Sequence, residues 1–156
     1  MHRRYAPSLA VRPARSFDAA AIARLLDRVA RPAEAIDPDA IRDWLTRGDV
    51  WHLVETDDLL GLQWIGPHPY LPTSTCEIAT FVTPGPRDLA AGSALFDATR
   101  RAARGRGYRH ITAILPSTNE TAAIYYRSRG FERQRCKPVL AEMRPDANEL
   151  VMTYRL

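Results

Sequence analysis

The chain has 156 residues, 46% hydrophobic and 26% charged, enough to bury one core and too few for two, so a single domain over 1–156 is expected. Its net charge of +4 comes almost entirely from arginine, Lys137 being the lone lysine, and the arginines are scattered without the basic stripe of a nucleic-acid interface. Cys76 and Cys136 have neither Cys-x-x-Cys spacing nor a nearby histidine pair, which argues against a zinc site or a disulfide framework and for buried free thiols. No segment approaches transmembrane length, and the basic residues His2, Arg3 and Arg4 are not followed by the apolar stretch of a signal, so a cytoplasmic protein with no membrane partner is expected.

In chain order, Leu9, Ala10, Val11 and Arg12 read as a first short strand, and Ser16 is placed to cap a helix carrying Ile22, Leu25, Leu26 and Val29 at helical spacing, with Asp18 in its first turn. Asp37 followed by Pro38 starts a second helix, with Ile41, Trp44 and Leu45 on one face and Gly48 as its stop. Strand-like runs follow at 51–55, 60–65 and 76–83, the first two joined through Asp57 and Asp58 as a hairpin. Pro67, Pro69 and Pro72 cannot donate ladder bonds, so 66–72 is a loop.

From Leu89 the pattern is helical, with Ala91, Leu95, Ala98 and Ala102 on one face and Gly105 and Gly107 at the end. An apolar strand at 110–115, a helix from Asn119 to about Arg129 stopped by Gly130, and an alternating final strand at 150–156 complete the chain. The expected order is β-α-α-β-β-β-α-β-α-β-β. It implies an α/β or α+β layered domain, with a central mixed sheet of about seven strands and helices on both faces.

Two passages carry chemistry. In the first, a strand ending at Phe81, Val82 and Thr83 breaks at Pro84, Gly85 and Pro86 and opens into a helix through Arg87, Asp88, Leu89, Ala90, Ala91, Gly92 and Ser93. A helix start of this kind offers unpaired backbone N–H groups and a positive dipole end to a phosphate, small residues allow close approach, and Arg87 adds a cation. The passage has neither a GxGxxG nor a P-loop pattern. In the second, Asn119, Ala122, Ala123 and Tyr126 share one helix face, with about 10 Å of helix axis between the amide and the phenol. Asn119 is equally suited to cap the helix, and Tyr126 to be a core aromatic.

Together, Val82-x-Pro84-x-x-Arg87-x-x-Ala90-x-Gly92 and Asn119-x-x-Ala122-x-x-Tyr125-Tyr126-x-x-x-Gly130-Phe131 resemble the acetyl-CoA and C-terminal motifs of GNAT-family N-acyltransferases, and the element order resembles theirs. The resemblance covers nearly the whole chain and is most specific over 77–131, within a cofactor-binding core at about 76–131. It implies acetyl-CoA as co-substrate, a small-molecule or peptide amine as acceptor, and the backbone of Phe81, Val82 and Thr83 pairing with the pantetheine arm. Residues 87–93 would then cradle the pyrophosphate, Asn119 and Ala122 would line the pantetheine, and Tyr126 would face the thioester sulfur as general acid. A phenol, whose ordinary pKa is about 10, would suit a departing thiolate as general acid.

Two departures stand out. Asp88 and Ala90 occupy positions where the family usually has glycine, and Asp88 sets a carboxylate where a diphosphate is expected. This motivates an alternative reading, a catalytically degenerate domain that binds coenzyme A or another phosphorylated ligand without transfer. On the acceptor side Glu77 is the leading candidate for general base, followed by a water, His52, His68 and Glu120. Trp51, Trp64, His68, Tyr70 and Phe81 are candidates to line the acceptor pocket, though aromatics in strands also build cores. Relatives of this family are often dimers, and the final strand is the place where a second copy would pair.

Overall fold

The computed structural model describes residues 8–134 and 148–156; Cys136 and Lys137 lie outside them. The elements are β1 (Ala10–Pro13), a 3-10 turn (Ser16–Asp18), α1 (Ala19–Val29), α2 (Pro38–Leu45), β2 (Val50–Glu55), β3 (Leu59–Gly66), β4 (Thr75–Val82), α3 (Asp88–Gly105), β5 (His110–Pro116), α4 (Glu120–Ser128), β6 (Glu132–Arg133) and β7 (Glu149–Arg155). The seven strands form one sheet in the order β1-β2-β3-β4-β5-β7-β6. Pairing is antiparallel for β1–β2, β5–β7 and β6–β7 and parallel for β4–β5, so the sheet is mixed as the element order implied. No helix among the described residues is long and apolar enough to cross a membrane.

By internal contact the chain divides into two compact units, Met1–Gln63 with Thr80–Ala98, and Trp64–Ala79 with Thr99–Leu156. The first unit has helices on both faces of its strands. Leu53 and Val54, adjacent on β2, point to opposite sides by strand alternation. Leu53 joins Ile22, Leu25, Leu26, Ile41 and Leu62 under α1 and α2, whereas Val54 joins Ala91 and Leu95 of α3. The buried residues of α3 are Ala91, Gly92, Leu95, Phe96, Thr99 and Ala103, with Ala98 and Ala102 only half-buried. Its inward face is thus turned slightly from the alanine row that periodicity suggests, because the larger Phe96 takes the core and alanine is indifferent to its side.

The α2 start is as expected: the Asp37 carboxylate accepts from the Asp39 N–H at 2.8 Å and Pro38 takes the first turn. The α1 start is different. Ser16 does not cap a helix; it lies in the 3-10 turn, and Asp18 precedes α1. The Asp18 carboxylate, 6% exposed, accepts from the Arg15 N–H at 2.8 Å and from both terminal nitrogens of Arg12 at 2.7 and 2.8 Å. Arg12 also donates through Nε to Glu55 Oε1 at 2.8 Å, and its guanidinium lies 5.6 Å from the Phe17 ring centre. One side chain on β1 thereby ties β2 to the entry of α1. A nearly buried carboxylate held by a bidentate guanidinium outcompetes a serine hydroxyl for the same turn.

The final strand is not a free edge. β7 pairs with β5 along Glu149–Arg155 and with β6 at Met152 and Thr153. In the second unit Gly130, at φ +101°, stops α4 and lets the Phe131 N–H return to the Tyr126 carbonyl at 3.0 Å.

Removing the Asp18 carboxylate leaves Arg12 partly buried with Glu55 alone. Asp18→Ala is expected to destabilise the fold by about 2–3 kcal/mol, read as a lower melting temperature at pH 7. The Arg12 hydrogen bonds, against the opposing effect of burial, hold the Asp18 carboxyl below its ordinary value. Its contribution is therefore present above the unfolded pKa and lost as pH falls through the lower folded one, so the wild-type and variant melting curves should converge in strong acid.

Candidate functional site

In the first unit, Pro84 and Pro86 end the extended run because neither can donate a backbone bond. The side chains of Phe81 and Val82 are absorbed by packing, Phe81 against the α1–α2 cluster and Val82 against the α3 cluster, so what this stretch presents to a ligand is backbone. The chain then turns into α3: the Asp88 N–H donates to Gly85 O at 3.2 Å and the Ala91 N–H to Arg87 O at 2.9 Å. The Leu89 N–H donates to the Asp88 side chain at 2.7 Å, so the carboxylate covers one of the first amides of the helix. The Ala90 N–H has no acceptor among the described residues.

The small-residue passage divides by face. Ala91 and Gly92 are buried, Asp88, Leu89 and Ala90 are exposed, and Arg87 and Ser93 are half-buried. One residue here was not legible in the sequence: Arg28, in the last turn of α1, donates to the Thr83 hydroxyl at 3.3 Å and sets a second guanidinium beside the turn. Nothing local to either residue signals a pairing across 55 positions. Trp51, a candidate pocket residue, packs against the α1–α2 cluster, the core role that strand aromatics also permit. His52 lies half-buried on β2 in this unit.

In the second unit, the registered pairing of β4 with β5 runs from Thr75 opposite His110 to Ile78 opposite Ala113. Cys76 and Ile78 are buried, and Glu77 between them points to the other face, half-buried, opposite Thr112. The Thr112 and Thr153 hydroxyls meet at 3.2 Å in the same cross-strand row. Burial pushes the Glu77 carboxyl above its ordinary value, and the charge of His68 pulls it partly back. The loop after β3 therefore brings two of the sequence's base candidates, Glu77 and His68, within electrostatic reach of each other.

His68 is oriented by its own loop. Its Nδ1 accepts from the Tyr70 N–H at 3.2 Å, and its ring centre lies 5.8 Å from that of Tyr70, itself 59% exposed. Trp64 is half-buried. Cys76 is fully buried, with its thiol pushed up to about 12, and has no thiolate character to offer as a nucleophile.

α4 carries the remaining pair. Asn119 Oδ1 accepts from the Ala122 N–H at 3.1 Å, so Asn119 is the helix cap, exposed, with its side-chain NH2 making no hydrogen bond among the described residues. Ala122 is half-buried and Glu120 exposed in the first turn. Tyr126 is 4% exposed, its ring 5.1 Å from that of Tyr125 and 5.0 Å from that of Phe131, which in turn lies 5.4 Å from Tyr154. Gly130 belongs to this packing as well as to the helix stop, since a Cβ there would sit 3.3 Å from Tyr154. Within this unit the structure thus holds a carboxyl of raised pKa on β4 and a phenol clamped on α4, groups suited to accept and to donate a proton. Among the described residues, no group of three or more His, Cys, Asp and Glu is arranged to hold a metal ion.

The model of the Acetyltransferase (GNAT) family matches residues 19–131. Among solved structures, the chain is similar to a ribosomal-protein-alanine N-acetyltransferase from Brucella melitensis, at 20% identity over 94% of this chain and 99% of that one, with a TM-score of 0.77. It is similar to a GNAT superfamily phosphinothricin acetyltransferase from Sinorhizobium meliloti in complex with AcCoA, at 14% identity, 95% and 88% coverage and a TM-score of 0.76. An N-acetyltransferase from Staphylococcus aureus Mu50 aligns at 18% identity, 96% and 98% coverage and a TM-score of 0.75. Among curated proteins none matches significantly. The structural likeness establishes the fold, the family model covers most of the sequence, and on that ground the chain belongs to the GNAT acetyltransferase family.

Proposed function

We propose that this chain, acting as one N-acyltransferase domain, moves an acetyl group from acetyl-CoA to a primary amine of a small molecule or peptide by direct attack. The observation that carries the reading is the end of β4. Its registered pairing with β5 stops at Ile78 while the strand runs on to Val82, the side chains of Phe81 and Val82 are taken up by packing, and the turn that follows opens into α3, where the Ala90 amide has no acceptor among the described residues. Backbone groups at a strand end and a helix start suit the amides and the diphosphate of coenzyme A. Arg87 and Arg28 supply positive charge beside them.

When bound, acetyl-CoA supplies an activated acyl carbon and a thiolate leaving group. Glu77, directly or through a water, takes the proton that the amine nitrogen gives up as it bonds to the carbonyl carbon. Tyr126 gives its proton to the sulfur as the carbon–sulfur bond breaks, and the side-chain NH2 of Asn119 hydrogen-bonds the pantetheine. No covalent enzyme intermediate is needed, in keeping with the inert Cys76 thiol.

A second reading, binding without transfer, is motivated by Asp88, whose carboxylate occupies the Leu89 amide and repels an incoming diphosphate. One experiment separates the two. The melting temperature is measured with and without saturating acetyl-CoA for the wild type and Asp88→Gly, followed by product detection over a panel of amines. A rise of about 5–10 °C is expected at a hundredfold excess over Kd. Asp88→Gly should bind about threefold to tenfold more tightly, since a repelling charge leaves and an amide is freed. A shift without product on any amine favours the second reading; no shift at millimolar acetyl-CoA sinks both.

Tyr126→Phe keeps the ring packing and removes only the hydroxyl. It should lower kcat about a hundredfold while the Kd for coenzyme A stays within about twofold. Unchanged turnover would remove Tyr126 from the chemistry.

Because a base must be ionised to act, kcat/KM should fall as pH drops through the raised Glu77 pKa, at a midpoint above the ordinary carboxylate value of about 4.3. Glu77→Gln should abolish that limb and most of the activity. For stability the sign is opposite: a raised acid pKa favours the fold below the unfolded value, and the advantage is lost as pH rises through the folded one. Glu77→Gln should therefore melt no lower than wild type at neutral pH, which a pH series of melting curves checks.

A further inference from the structure

The alternation of β3 breaks at its third residue. Leu59 and Leu62 both pack with the α1–α2 cluster, whereas Leu60 packs with the α3 cluster. In a regular strand residues three apart point to opposite faces, so an extra residue is inserted between Leu60 and Leu62, and that residue is Gly61. The backbone of β4 closes over it. A Cβ on Gly61 would lie 2.8 Å from the Phe81 carbonyl oxygen, 3.0 Å from Val82 Cγ2 and 3.2 Å from Val82 Cα, and the Thr83 N–H donates to Leu60 O at 2.8 Å beside it. The Phe81–Val82 peptide thus occupies space that a side chain would take from any other residue at position 61.

We propose that Gly61 is a positioning residue for the acyl donor: the bulge at Gly61 sets the Phe81 and Val82 backbone groups where the pantetheine amides pair. The inference rests on the coenzyme A reading above. The side chains of Phe81 and Val82 are already committed to opposite cores, so peptide orientation is the only variable this stretch has, and Gly61 is what it leans on. Adding a methyl group there displaces a backbone carbonyl, which has no rotamer by which to move aside. The three atoms nearest that methyl position all belong to Phe81 and Val82, and none to the start of α3, which would hold the diphosphate.

Calorimetric titration of wild type and Gly61→Ala with coenzyme A and with 3′-phosphoadenosine 5′-diphosphate, which has the diphosphate but no pantetheine, tests this. Gly61→Ala should weaken coenzyme A about tenfold and leave the shorter ligand within about twofold, a split that a general loss of structure would not produce. Equal weakening of both ligands, or of neither, overturns the positioning role while leaving coenzyme A binding intact. A wild type that binds neither overturns the coenzyme A reading and this inference with it. Should Gly61→Ala fail to fold, backbone amide NMR shifts of the wild type decide: coenzyme A should move the Gly61, Phe81 and Val82 signals and the shorter ligand should not. Identical shifts with both ligands overturn the proposal.

Discussion

β4 and β5 lie side by side and run in the same direction. A chain cannot turn directly from one strand into a parallel neighbour; it must leave the sheet and cross over, and here α3 makes the crossing. The start of a helix therefore follows immediately on the end of a strand. Backbone groups at the strand end and amides in the first helical turn come together in sequence, and Pro84 and Pro86 keep the intervening turn from pairing with anything else. The donor-side proposal depends on this topological requirement more than on any single side chain, which is why packing can absorb the side chains of Phe81 and Val82 without removing what a ligand would use.

The groups proposed to handle protons obey a different constraint. Glu77 has to be buried enough for its carboxyl to hold a proton more tightly than usual, yet be on the strand face opposite Cys76 and Ile78. The charge of His68 opposes part of that rise. Tyr126 is fixed by ring packing with Tyr125 and Phe131, and Phe131 is delivered to it by the helix stop at Gly130. Opposed to these is Asp88, whose negative charge suits the first turn of α3 but whose side chain occupies an amide and opposes a diphosphate there.

The framework around these groups is held by interactions of long sequence separation. Arg12 joins Asp18 and Glu55, Arg28 joins Thr83, and Gly61 admits the backbone of Phe81 and Val82. Each links an element read easily from the sequence to a partner that the sequence does not announce.

The sequence by itself determined the element order and most element ends, because those signals are local: helical spacing of apolar residues, Asp37 before Pro38, Asn119 at a helix start, Gly130 at a helix end. It also determined the family, since the two motifs are short runs in which residue type and spacing are the whole signal. Only the tertiary structure decided that Asp18 rather than Ser16 governs the entry to α1, that Trp51 serves the core, and that β7 lies between two strands. It alone brought His68 to bear on Glu77 and pressed β4 against Gly61. These outcomes depend on which strand pairs with which and in what register, and such pairings are set by the joint packing of distant segments, about which no local run of residues carries information.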